Sequence, residues 1–110
     1  MSPHDLSMLP DDVRNRARVR ENGEVEWRLA DAPRAINALA DAGRVVLGLD
    51  LRSYPDGHTL EMAWSSFEPD RELGVEANVE GGRRAALDAL VRDNFAENAE
   101  FAEWILVTWS

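Results

Sequence analysis

A chain of 110 residues with 21 acidic and 12 basic side chains, a formal net charge of -9 and no cysteine is sized for one domain around one core. The acidity argues against nucleic-acid binding, which needs a basic face for the phosphates, and against docking on anionic membranes. With 45% apolar residues and four tryptophans, burial is adequate without disulfide or metal staples.

The start, Met1-Ser2-Pro3-His4-Asp5, lacks the basic and then apolar regions of a signal peptide. No stretch approaches the roughly 18 apolar residues of a membrane span. The expectation is a soluble cytoplasmic protein. Every basic residue is Arg and none is Lys, which reads as genome composition rather than function.

Residues 1–10 carry two prolines and no periodicity and read as a draped arm. Asp11-Asp12 followed by Val13, Arg14, Arg16 and Arg20 suits a short helix, acids first and Arg toward its end. The arm is therefore assigned to 1–22 and a single α+β domain to 23–110. Asn22-Gly23 marks a turn, after which Val25, Trp27 and Leu29 alternate with Glu24, Glu26 and Arg28, the period of a half-buried strand over 24–30. Asp31 is placed to cap the next helix, Pro33 fits its first turn, and Ala32, Ala35, Ile36, Leu39 and Ala42 form its apolar face before Gly43.

Val45, Leu47, Leu49 and Leu51 then alternate with Val46, Gly48, Asp50 and Arg52, and Tyr54-Pro55-Asp56-Gly57-His58 supplies hairpin turn chemistry. On the partner strand, about 59–66, period two puts Leu60, Met62 and Trp64 in the core and Thr59, Glu61, Ala63 and Ser65 outside. From Phe67 to Gly82 the periodicity fails, and a long acidic connection with Glu68, Asp70, Glu72, Glu76 and Glu80 is expected, with room for a short strand or turn at 73–79. A helix over about 82–96 follows on Ala86, Leu87, Leu90, Val91 and Phe95, with Arg83 and Arg84 badly placed at its positive end. Trp104-Ile105-Leu106-Val107-Thr108-Trp109 is apolar on both faces, a strand covered on both sides.

The βαββαβ order fits a ferredoxin-like sheet or a rearranged antiparallel or mixed sheet, with two helices on one face. The ferredoxin-like plan leaves the last strand at an edge, which conflicts with its apolar character. Alternate residues of the first three strands would gather Glu24, Glu26, Asp50, Arg52, Tyr54 and Glu61 on the polar sheet face, with Arg28 and Thr59 beside them. Carboxylates beside an aromatic suit a surface that steers and anchors a cationic partner. Glu68, Asp70 and Glu72 of the long loop form the other candidate partner-binding set. Trp27 and Trp64 share the phase of the core, and one of Trp104 and Trp109 faces outward.

Enzyme chemistry finds little footing. His58 falls in a turn, Ser65-Ser66 lacks an elbow and a base, and Glu24 and Glu26 have the spacing of any exposed strand. Gly81-Gly82 lacks a phosphate-binding fingerprint. No catalytic residue, cofactor site or metal site is assigned.

Glu26-Trp27-Arg28-Leu29, the helix after it, Val45 to Arg52, Trp64 and the Trp104 to Trp109 run together resemble the small acidic immunity proteins of bacterial polymorphic or contact-dependent toxin systems. The likeness covers about residues 24–109 and is one of size, charge and style. It implies a cytoplasmic inhibitor that binds a cognate basic toxin, often a nuclease, and occludes its active site. The alternative is a small-molecule-binding regulatory domain of ferredoxin-like type acting as a homodimer.

Overall fold

The computed structural model describes residues 5–98 and 103–110; residues 1–4 of the expected arm, His4 included, lie outside the described residues. The elements are α1 (Asp11–Arg16), β1 (Arg18–Val19), β2 (Val25–Arg28), α2 (Ala32–Asp41), β3 (Val46–Ser53), β4 (Leu60–Ser66), α3 (Val75–Val91), α4 (Asp93–Asn98) and β5 (Trp104–Trp109). Together they form an α+β domain with a five-stranded sheet in the order β1-β2-β5-β3-β4. Every neighbouring pair is antiparallel.

This is the rearranged sheet and not the ferredoxin-like one. The apolar run of β5 explains the order: Ile105 and Val107 point into the helix-covered core while Leu106, on the other face, is 5% exposed. A strand buried on both faces belongs between partners, and β5 is bonded to β2 on one side and β3 on the other. The Asn22-Gly23 turn joins β1 to β2, with Gly23 at φ 86°, where a side chain would be strained.

The core gathers Val25, Trp27, Ala35, Ile36, Leu39, Leu49, Leu51, Ile105 and Val107. Trp27 is fully buried, packs against Trp109 at 6.2 Å between ring centroids, and donates its indole N–H to the Val13 carbonyl at 2.9 Å. That bond ties α1 to the core, so the arm from Leu9 onward is part of the packed structure. On α2, Ala32, Ala35, Ile36 and Leu39 are buried as their spacing predicts. Its end is closed by Gly43 N–H to Ala40 O and Arg44 N–H to Leu39 O, both 2.9 Å, the Schellman pattern that needs a left-handed residue; Gly43 has φ 78°. Asp31 makes no capping bond, and its carboxylate takes a hydrogen bond from Arg16 at 3.1 Å instead.

Two irregularities overturn the strict period-two reading. The register slips between Val46 and Gly48 against β5, and between Leu51 and Arg52 against β4. Each extra residue reverses the phase of the residues beyond it on its strand. Leu47 is the extra residue in β3, so Val46 rather than Leu47 enters the core with Leu49 and Leu51. Met62 is the extra residue in β4. Ala63 therefore faces the helices, and Trp64, expected in the core, stands on the open face 70% exposed.

The expected long loop is also shorter than its sequence suggests, because α3 begins at Val75 and runs through Gly81 and Gly82. Glycine costs a helix interior about 1 kcal/mol, yet a Cβ on Gly82 would come within 2.6 Å of the Val46 carbonyl oxygen and one on Gly81 within 2.8 Å of the Phe67 ring. The glycines let α3 lie close on β3; they do not end it. Arg83 and Arg84 thus sit in mid-helix, each beside the Glu80 carboxylate one turn earlier.

Candidate functional site

Helices α2 and α3 cover one face of the sheet, and the other face is laid out in lateral rows. One runs Arg18, Glu26, Leu106, Asp50, Trp64 across all five strands. The next runs Arg28, Trp104, Arg52, Glu61. Directly opposite residues share a face with their Cβ atoms about 4.5–5.5 Å apart, so these residues can act together.

The centre of this face is an ionic network. Glu26, expected to be exposed, is fully buried. Arg18 donates to it from Nε at 2.9 Å, the guanidinium groups of Arg20 and Arg52 lie 3.8 and 3.9 Å away, and the Tyr54 hydroxyl donates to its other oxygen. Arg52, also buried, holds Glu24 through two bonds of 2.9 and 3.2 Å and Glu61 through one of 3.1 Å. Burial works against the Arg52 charge, but the hydrogen bonds to Glu24, Tyr54 and Glu61 outweigh it and hold its pKa above the ordinary guanidinium value. The bond from Arg52 in turn lowers the Glu24 pKa. Burial, followed by the bond to Glu26, raises that of Tyr54.

Aromatic rings cap the network. The Arg18 guanidinium lies 3.8 Å from the Trp104 ring centroid and 4.8 Å from that of Tyr54. Arg20 stacks on Tyr54 at 4.4 Å and Arg28 on Trp104 at 4.7 Å. Of the two tryptophans in β5, Trp109 is in the core and Trp104 is half-buried on the open face under these arginines.

Toward β4 the character changes. Asp50 is half-buried and forms no salt bridge among the described residues. Burial, followed by the nearby charge of Glu61, raises its pKa. Trp64 lies directly across from it and is exposed.

Of the nine expected site residues, the fold brings together Glu24, Glu26, Asp50, Arg52, Tyr54 and Glu61. Within that set Glu26 and Arg52 are withdrawn from solvent and hold the face together instead of presenting charge. Charge on the open face is balanced among these groups, with Arg18, Arg20, Arg28 and Arg52 against Glu24, Glu26, Asp50 and Glu61. Glu68, Asp70 and Glu72 lie apart, in the short connection from β4 to α3. There the Asn78 side chain accepts from Asp70 N–H and donates to Asp70 O, both at 2.9 Å, and Glu72 N–H donates to the Asp70 carboxylate at 2.9 Å. The connection is thus a fixed, exposed acidic turn, with only Arg71 to offset it.

Sequence reasoning missed Arg18, Arg20 and above all Trp64, and left open which of Trp104 and Trp109 faces outward. For Arg18 and Arg20 the signal was their place just before the Asn22-Gly23 turn, which folds them back along β2. For Trp64 there was none, because nothing in a period-two pattern announces a bulge. Among the described residues no helix is long and apolar enough to cross a membrane. No protein-family model matches the chain, and no curated protein is similar to it.

Proposed function

We propose that this protein is a cytoplasmic immunity protein that binds a cognate basic toxin domain one to one and inhibits it by covering its active site. The observation that carries this reading is Trp64, exposed on the open sheet face beside Asp50 and Glu61. An exposed indole rimmed by carboxylates has the make-up of an interface centre: the aromatic supplies buried contact area and the acids steer a cationic partner. The buried network behind it supports the same reading, since a binding surface held rigid by its own ion pairs loses less entropy on docking. Glu68, Asp70 and Glu72, beyond the end of β4, add acidic charge that speeds encounter without entering the contact. The ferredoxin-like premise of the regulatory-domain alternative is lost with the sheet order.

The test is calorimetric titration with an inactive form of the protein encoded directly upstream, at low and at moderate salt. One-to-one binding of roughly nanomolar strength, typical of tight standard-sized interfaces, that weakens with salt and is lost in Trp64→Ala would support inhibition through this face. No heat at either salt would overturn it.

A further inference from the structure

The four tryptophans have different fates, and the difference points to a specific ligand chemistry. Trp27 and Trp109 are in the core. Trp104, on the open face, carries a guanidinium on its ring: Arg18 lies 3.8 Å from the ring centroid while its Nε donates to Glu26 at 2.9 Å. The chain has thus built one complete unit of indole, guanidinium and carboxylate on this face.

Across the sheet the same two outer parts recur. Asp50 and Trp64 are direct cross-strand partners in the row that begins with Arg18 and Glu26. Here no cation is in contact: among the described residues no Arg stacks on Trp64 or forms a salt bridge to Asp50, and Arg52 acts on Asp50 only through its charge at longer range. The nearest arginine along the row above, Arg52, has both terminal nitrogens engaged by Glu24 and Glu61. Glu61, in turn, adds a second carboxylate on the same side, and the burial that disfavours the Asp50 charge is offset when a cation pairs with it.

We propose that Trp64 and Asp50, with Glu61 at the rim, form a seat for one arginine side chain of a protein partner, its guanidinium stacked on the Trp64 indole and paired with the Asp50 carboxylate. Stacking on an indole with a carboxylate alongside is a pairing that a planar guanidinium satisfies better than an ammonium. The seat rests on the docking reading above and names what the partner inserts.

The test is a nitrogen–proton NMR titration of the whole protein with the peptide acetyl-Gly-Arg-Gly-Arg-Gly-amide, and with its citrulline counterpart, which keeps the shape and lacks the charge. The indole N–H of Trp64 is assigned from Trp64→Phe, and that of Trp104 is the internal reference. The expected result is a saturable shift at Trp64 with the arginine peptide, little at Trp104, a response at least several-fold weaker with citrulline, and a similar loss in Asp50→Asn. Equal shifts with both peptides, or a Trp64 resonance that does not move, would overturn the seat. A toxin that binds in a Trp64-dependent way while the peptide leaves Trp64 unmoved would overturn it too and leave docking by apolar contact. A charge-dependent Trp64 shift supports the seat whatever the calorimetry with the toxin returns.

Discussion

The two faces of one sheet are held by opposite means. Toward the helices, Trp27, Ile36, Leu39, Leu49, Leu51 and Ile105 are buried against one another, and Gly82 lets α3 approach the β3 backbone. Away from the helices, a carboxylate with no solvent contact is surrounded by three guanidinium groups and a phenol. Burial of apolar surface tolerates approximate partners, whereas a buried charge is stable only while its partners are present. The apolar face should therefore fail by steric intrusion and the open face by loss of one ion.

The sharpest break comes from Glu26→Ala, which leaves Arg18, Arg20 and Arg52 without their shared counter-charge. Denaturant unfolding is expected to show a loss of about 3–5 kcal/mol, the usual cost of orphaning a buried ion pair; a loss below that of an ordinary surface change would mean that the network is ornamental. Next is a pair on α3. Gly82→Ala meets backbone at Val46 and is expected to cost about 1–3 kcal/mol despite its better helix propensity. Gly81→Ala meets only the tip of the Phe67 ring, which can swing aside, and should leave the midpoint near that of the parent. Equal effects would remove close helix approach as the reason for the two glycines.

Smaller effects come from two carboxylates of the open face that pull in opposite directions with pH. Asp50 has a raised pKa, so its stabilising contribution is present below the ordinary carboxylate range and lost as pH rises through its folded value. Asp50→Asn should therefore raise the melting temperature at neutral pH, with the gain closing in acid. Glu24 has a lowered pKa; its contribution is present at neutral pH and lost as pH falls through the folded value, so Glu24→Gln should lower the melting temperature at neutral pH and match the parent in acid. Thermal melts across that range would expose either sign if reversed. The least expected effect on folding is that of Trp64→Ala, within about 0.5 kcal/mol as for other exposed positions, alongside a loss of partner binding of at least about 2 kcal/mol.

Much of this fold is legible in the residues. The spacing of Ala32, Ala35, Ile36 and Leu39 before Gly43 describes α2 closely, and the two-sided apolarity of 104–109 already argued against an edge position. What stayed hidden depends on contacts distant in sequence. Gly81 and Gly82 look like helix breakers until Phe67 and Val46 are seen against them. Met62 and Leu47 look like ordinary strand positions until the neighbouring strand reveals them as extra. The candidate site was half visible for the same reason: Glu24, Glu26, Arg52, Tyr54 and Glu61 were placed on one face by alternation, but the burial of Glu26 required Arg18 and Arg20 to return over it, and Trp64 reached that face only through the bulge.

The position of β5 also governs the order in which the molecule can assemble. As the chain emerges during synthesis, the β1–β2 and β3–β4 hairpins are made first, each with an unpaired flank, and neither can join the other because the strand that belongs between them does not yet exist. Local pairs wait on a long-range closure, the kind of topology that folds slowly and leaves open strand edges as hazards meanwhile. Through that interval the β3–β4 hairpin, with Asp50, Asp56 and Glu61 against Arg52, carries net negative charge, whereas the β1–β2 hairpin balances Arg18, Arg20 and Arg28 against Glu21, Glu24 and Glu26; residues 104–109 then arrive to knit the sheet.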